Sequence, residues 1–249
     1  MELQFWLVAL DFGEQALKAC VCRLKQERKV DLYRTCFDEA TKYEDEEEAQ
    51  LAGKYKNSIA KDLKLQTAVV RGKDKQNRAL VLIFPRTSAE TTDDEFVLTQ
   101  LYTMERAIAC TEIASEGREE KVLAVLDFSS FQSKYAPSLQ AVKSLVSILQ
   151  TKYPERLKNL VVIDPPFWMR SVYALIKPFL DPETRAKFIL ASGSKKKVQI
   201  ISEFVDDEHA MPFMIPTGKL TSEIDLDHFL TRVPFHSLYD DAPVAVSAS

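Results

Sequence analysis

The chain has 249 residues, of which 46% are hydrophobic, 28% charged and 10% aromatic, enough apolar material for one sizeable core and too much for general disorder. Its 33 Lys and Arg against 37 Asp and Glu give a net charge of −4, which argues against a nucleic-acid partner. The six glycines (Gly13, Gly53, Gly72, Gly117, Gly193 and Gly218) are scattered, so neither a Walker-type phosphate loop nor a dinucleotide fingerprint is present.

In chain order, residues 13–29 read as a helix with Ala16, Ala19, Cys20 and Leu24 on one stripe. A second helical stretch covers about 44–64 and opens on the acidic run Glu44–Glu48, which suits a helix N-terminus. These define a helical N-terminal module, residues 1–65. The polar Gly72–Asn77 segment is turn-like, and Leu80–Phe84 after it reads as a buried strand. Thr92 and Glu95 form a capping-box pair ahead of a long helix carrying Val97, Leu101, Met104 and Ile108 on one face, ending by Gly117. Lys121–Asp127 is a strand, Pro137 to about Lys152 a helix, and Leu160–Ile163 a strand, which makes a right-handed βαβ unit and a partly parallel sheet. Phe167–Ile176 reads as an amphipathic helix broken at Pro178, and Asp181-Pro182 as the cap and first residue of another. Lys187–Leu190 and Lys197–Ile201 read as two further strands, and residues after Asp240 as a frayed tail.

The net charge conceals a division. Residues 121–200 hold 13 basic and 5 acidic side chains, and residues 201–249 hold 2 and 9, so a candidate anion-facing block lies ahead of an acidic end. Cys20, Cys22, Cys36 and Cys110 form no CxxC pair and lie apart from His209, His228 and His236, so no metal site is expected. The adjacent Asp206-Asp207-Glu208-His209 cannot converge on one ion, and Ser129-Ser130 lack a nucleophile elbow, so no catalytic residue is expected either. Met1–Ala9 lacks a signal peptide's basic flank, and the longest apolar runs are of strand length; the chain reads as soluble and cytoplasmic.

Three motifs stand in register: Tyr153-Pro154-Glu155-Arg156, then Val162-Ile163-Asp164-Pro165-Pro166-Phe167, then Lys177-Pro178-Phe179-Leu180-Asp181-Pro182-Glu183-Thr184-Arg185-Ala186-Lys187. Together they resemble the CRAL-TRIO lipid-binding family, in the branch of the phosphatidylinositol/phosphatidylcholine transfer proteins. The resemblance reaches back to Asp74–Ala79, similar to the family's D-x-x-G-R-P turn with Asn77 and Ala79 in place of Gly and Pro. It implies an α/β fold in which a mixed, largely parallel sheet floors an apolar lipid pocket (residues 66–235). A mobile helical lid, with Phe167, Val172, Ile176, Phe179 and Leu180, would close that pocket. Before it stands the helical module and after it a flexible tail, residues 236–249.

By the same resemblance Glu155, Thr184 and Lys187 match the phosphoinositide headgroup positions, with backbone amides at Pro182-Glu183-Thr184 assisting Lys187. The alternative for Glu155 is a pair with neighbouring Arg156 or Lys158, for Thr184 an ordinary early helix position, and for Lys187 an ordinary surface position. Two departures matter. Val122 and Ala124 stand on the strand where phosphatidylcholine-binding members carry Ser and Thr, so they form an apolar pocket floor, and a second ligand would be held by shape. The family's two arginines in FLRARK align with Val8 and Leu10: either phosphoinositide binding is weaker, or the chain begins late and the module is truncated, and the lack of the usual upstream helices favours the second.

Met211, Phe213 and Met214 line the pocket mouth or pack as core, and core is favoured. Lys195-Lys196-Lys197 either touch anionic membrane or form a solvated turn. The expected function is a monomeric, non-enzymatic lipid carrier with no cofactor besides its lipid, phosphatidylinositol. It would exchange that phospholipid during transient contact with a membrane surface, with no nucleic-acid partner. The alternatives are a protein-interaction or lipid-sensing regulatory module, or a carrier of a small isoprenoid-type cargo.

Overall fold

The computed structural model of the chain describes residue 61 and residues 67–85, 91–129 and 131–220. The expected helix at 13–29, that at 44–64 apart from residue 61, Val8 and Leu10, and the tail at 236–249 lie outside the described residues.

Among the described residues five strands form one sheet in chain order. β1 (Ala68–Lys73) and β2 (Ala79–Ile83) make an antiparallel hairpin, and β3 (Val122–Asp127), β4 (Leu157–Ile163) and β5 (Phe188–Ala191) follow, each parallel to its neighbour. α1 (Asp93–Ala114) connects β2 to β3, α2 (Leu139–Lys152) connects β3 to β4, and α3 (Met169–Ile176) with the short α4 (Pro182–Ala186) connects β4 to β5. This is the mixed, largely parallel α/β sheet expected from the sequence.

Period-two alternation divides the core between the two faces. Leu80, Leu82, Leu123, Val125, Val161 and Ile163 point to one face, where α5 (Ser194–Phe204) covers them with Ile201, joined by Met211, Met214 and Ile215. Val81, Val122 and Ala124 point to the other, under Ala107 and Ile108 of α1. Thr111 of α1 accepts the Ala79 backbone N–H at 2.9 Å, which fixes the helix over the start of β2. The capping box forms as expected: Thr92 N–H donates to Glu95 at 2.9 Å, and Glu95 N–H to Thr92 Oγ1 at 3.2 Å.

Two expectations are corrected. Lys197–Ile201 is helix, inside α5. The β-branched Val198, Ile200 and Ile201 suggest a strand, but Val198, Ile201 and Val205 recur at three- and four-residue spacing and reach one core. β1 takes in Gly72 and Lys73 of the turn-like segment and otherwise falls where no element is expected, because three apolar residues before Arg71-Gly72 are a weak strand signal. Its register slips between Val70 and Lys73, where Gly72 sits at φ +77. A Cβ there would lie 2.6 Å from the His209 carbonyl oxygen, so only glycine lets the bulge approach that turn.

The hairpin loop is organised by Asp74. Its carboxylate accepts the backbone N–H groups of Gln76 and Arg78, each at 2.8 Å, and Nη1 of Arg78 at 3.0 Å. Asn77 takes the left-handed conformation at φ 63, a position asparagine tolerates better than most residues. Met211 and Met214 are buried in the core beneath α5, and Phe213 meets Phe84 edge-to-face at 5.6 Å, so this segment packs on the sheet face opposite the crossover helices.

Candidate functional site

On the crossover-helix face the packing is incomplete. A cavity of about 900 Å³ lies over the sheet, floored by Val81, Ile83, Val122, Ala124 and Leu160 and walled by Met104 of α1 and Leu145, Val146 and Leu149 of α2. Val122 and Ala124 thus lie on its floor, and neither offers a hydrogen bond. A second cavity, about 500 Å³, is lined by Val162, Met169, Tyr173, Phe188 and Leu190, beside α3. Arg185 and Phe188 line both.

The polar rim of the larger cavity follows from strand topology. Lys121 immediately precedes β3, Glu155 lies just before β4 and Lys187 immediately precedes β5, so three neighbouring parallel strands bring these residues together at their N-terminal ends. Glu155 Oε2 lies 3.2 Å from Lys187 Nζ and 3.4 Å from Lys121 Nζ, and Glu183 adds a contact to Lys187 at 3.3 Å. Glu155 therefore pairs across the sheet rather than with Arg156, which instead meets Glu120 at 3.1 Å. The hydrogen bond from Lys187 holds the Glu155 carboxyl below its ordinary value of 4.5, with Glu183 and Lys121 contributing. Burial pulls the Lys187 ammonium down, but its bonds to Glu155 and Glu183 outweigh that and leave it above 10.5.

The turn carrying Glu155 is itself strained. Arg156 N–H donates to Tyr153 O at 3.3 Å, Pro154 fills the second position, and Glu155 sits in the left-handed region at φ 60. Glycine or asparagine is the usual occupant of such a position. Glu155→Gly is therefore expected to keep or raise the thermal midpoint while weakening uptake of any phosphoinositide, if the resemblance assigns this carboxylate correctly. A lowered midpoint with unchanged uptake would contradict a role for this carboxylate at the rim.

Thr184 is placed by its cap. Asp181 accepts the Thr184 N–H at 2.8 Å and the Thr184 hydroxyl at 2.6 Å, and these bonds hold the Asp181 carboxyl below its ordinary range. The expectation of free amides at the start of α4 is corrected here: Asp181 already occupies the Thr184 amide, and Pro182 has none. The Thr184 hydroxyl donates to Asp181, so its oxygen lone pairs stay available to a donor.

The residues expected in a lid divide. Phe167 is 93% exposed and borders the smaller cavity, Phe179 is exposed with Lys143 Nζ 4.8 Å from its ring centre, and Ile176 and Leu180 are buried. The side chain of Val172 lies outside the described residues. Gln150 of α2 ties down the segment after α3, donating to Phe179 O and accepting the Asp181 N–H at 2.9 Å. Among Lys195, Lys196 and Lys197, the first two are exposed and the third pairs with Asp164 at 3.0 Å.

Two lining residues escape sequence reasoning. Gln100 is 8% exposed and lines the larger cavity, with no hydrogen-bond partner for its Nε2. Gln100→Leu removes that unsatisfied donor and is expected to stabilise the empty protein by about 1 kcal/mol, measured by urea unfolding. Destabilisation of similar size would contradict this account of the side chain. Arg185 is the other. Its only sequence signal is a basic residue among acids on a short helix, and only the fold directs it to both cavities.

No helix among the described residues is long and apolar enough to cross a membrane, and no cluster there could hold a metal ion. Phosphatidylinositol transfer protein PDR17 of Saccharomyces cerevisiae is 31% identical over 128 residues, covering 49% of this chain and 35% of that protein. The CRAL-TRIO domain-containing protein YKL091C of the same yeast is 35% identical over 101 residues, covering 40% and 32%. Rat Clavesin-1 is 25% identical over 167 residues, covering 62% and 46%. The matched stretch spans about a third of the length of the two yeast relatives. Residues 63–212 match the CRAL/TRIO domain, more than half of the chain and the whole of the sheet with its crossover helices. The chain belongs to the CRAL/TRIO domain family, a family of lipid-binding domains.

Proposed function

We propose that this protein binds phosphatidylinositol and carries it between membranes, with the acyl chains in the larger cavity and the headgroup at Glu155, Thr184 and Lys187. The observation that carries the reading is the joining of an apolar cavity of about 900 Å³ to a rim where a carboxylate, a hydroxyl and an ammonium lie together. Acyl chains gain about 0.8 kcal/mol per buried methylene in such a cavity. A phosphodiester needs a cation, and sugar hydroxyls need acceptors, which this rim supplies. A relative bearing the name phosphatidylinositol transfer protein supports the same ligand. The exposed Phe167, Leu175 and Phe179 along the lid segment suit transient contact with a membrane interface. In this reading the segment opens at the membrane, and the chain visits the surface as a monomer with no cofactor.

The test is transfer of labelled phosphatidylinositol from donor to acceptor phosphatidylcholine vesicles by the purified chain. Transfer above the protein-free rate is expected, and none would overturn the reading. The rim predicts the pH dependence. The carboxyl of Glu155 is held below 4.5, so its contribution is complete above that value and is lost as pH falls through the lowered one. The ammonium of Lys187 is held above 10.5, so its contribution is complete below that value and is lost as pH rises through the raised one. Uptake is therefore expected to be flat between about pH 5.5 and 9.5. A break near pH 6.5 would contradict control by these two groups.

A further inference from the structure

The charged groups at the mouth of the larger cavity are mutually satisfied with one exception. Glu155 and Glu183 both hold Lys187, and Asp181 caps α4 through Thr184. Arg185 has no ion pair and no side-chain hydrogen bond among the described residues, and its Nε is buried without a partner. It also lines both cavities, beside Phe188. A guanidinium is always ionised, and here a half-buried one has its Nε cut off from water with no acceptor beside it. The neighbouring carboxylates face the rim and are already engaged, so the missing counter-charge would come from whatever enters.

We propose that Arg185 docks the anionic head of a single-chain amphiphile, a long-chain carboxylate or phosphate monoester, whose chain fills the smaller cavity of about 500 Å³ between α3 and β5. Three observations support this occupant. The guanidinium fork matches the two oxygens of a carboxylate or phosphate. The smaller cavity is apolar along Val162, Met169, Tyr173, Phe188 and Leu190, which suits a hydrocarbon chain, and it has little more than half the volume of the larger one. A neutral hydroxyl would accept one hydrogen bond from Arg185 but would neither engage both arms of the fork nor offset the charge, so the site selects for an anion. This ligand differs from the one read at Glu155, Thr184 and Lys187, and the inference rests on that reading only in taking the cavities as lipid sites.

The experiment uses the purified, delipidated chain and cis-parinaric acid, whose fluorescence rises on entering an apolar cavity. Oleate, oleyl phosphate and oleyl alcohol compete in separate arms, the first two separating the carboxylate from the phosphate source. Oleate or oleyl phosphate is expected to displace the probe about tenfold more effectively than oleyl alcohol. Arg185→Gln should abolish that difference by weakening the anion about tenfold and leaving the alcohol unaffected, while Arg185→Lys, which keeps the charge without the fork, should fall between. Equal probe affinity in the parent and in Arg185→Gln would overturn the inference, as would oleyl alcohol competing as well as both anions. If the parent transfers phosphatidylinositol but binds no parinarate, the inference falls and the proposed function stands. If it does neither, both fall.

Discussion

Replacing Lys187 by glutamate is expected to cut phosphatidylinositol uptake at least about tenfold, because it reverses the charge at the centre of the rim. The Lys187 side chain is largely buried, and its Nζ holds Glu155 at 3.2 Å and Glu183 at 3.3 Å. With glutamate there, three carboxylates would face the incoming phosphate, and of the rim ammoniums only Lys121, 3.4 Å from Glu155, would remain to offset them. Glu155 and Glu183 are exposed, so water screens much of the repulsion and the fold should survive. Lys187→Gln removes the charge without reversing it and should give an intermediate loss. Vesicle transfer of labelled lipid, with a thermal midpoint measured alongside, reads both quantities. Unchanged uptake in Lys187→Glu would mean that the headgroup lies elsewhere.

The second large effect is on stability and arises far from the rim. Asp74→Ala is expected to cost about 3–5 kcal/mol, because it breaks one side of a buried ion pair. Asp74 is 4% exposed, and its carboxylate serves two loop amides and the guanidinium of the equally buried Arg78. Arg78 retains Glu119 at 2.8 Å, which limits the loss, but the amides of Gln76 and Arg78 lose their acceptor. For a domain of this size the loss corresponds to a fall of roughly 10 °C in the thermal midpoint. A loss under about 1 kcal/mol would mean that water replaces the carboxylate freely.

Much of the architecture is legible in local chemistry. The Thr92–Glu95 box, the Asp181-Pro182 cap and the apolar runs at Leu80, Val122 and Leu160 each carry a signal that acts over a few residues, and each element forms there. The N-terminal helices and the tail expected from the sequence lie outside the described residues. The misread segments fail for physical reasons. Lys197–Ile201 combines β-branched residues with helical spacing, and burial of Ile201 against the sheet favours the helix. β1 is held by its pairing with β2 rather than by any pattern of its own.

The rim was only half legible. The motifs mark Glu155, Thr184 and Lys187, but not that Lys121 joins them, because that contact follows from three parallel strands starting side by side. Nor does the basic excess of residues 121–200 act as a single surface. Lys121 and Lys187 are taken up by Glu155, and Lys197 by Asp164, while Lys195 and Lys196 remain exposed. Gln100 and Arg185 were invisible for the same reason: a polar residue in a helix gains meaning only when the fold turns it toward a cavity.

The central claim is that the cavity over Val122 and Ala124 holds a lipid. Mass spectrometry of the intact purified chain under native conditions, followed by organic extraction, reads that occupant directly. The account predicts a bound species that dissociates on denaturation and is recovered as a phospholipid, phosphatidylinositol foremost when the chain is purified from cells that make it. A chain of bare polypeptide mass, which also fails to take up phosphatidylinositol from vesicles, would contradict it.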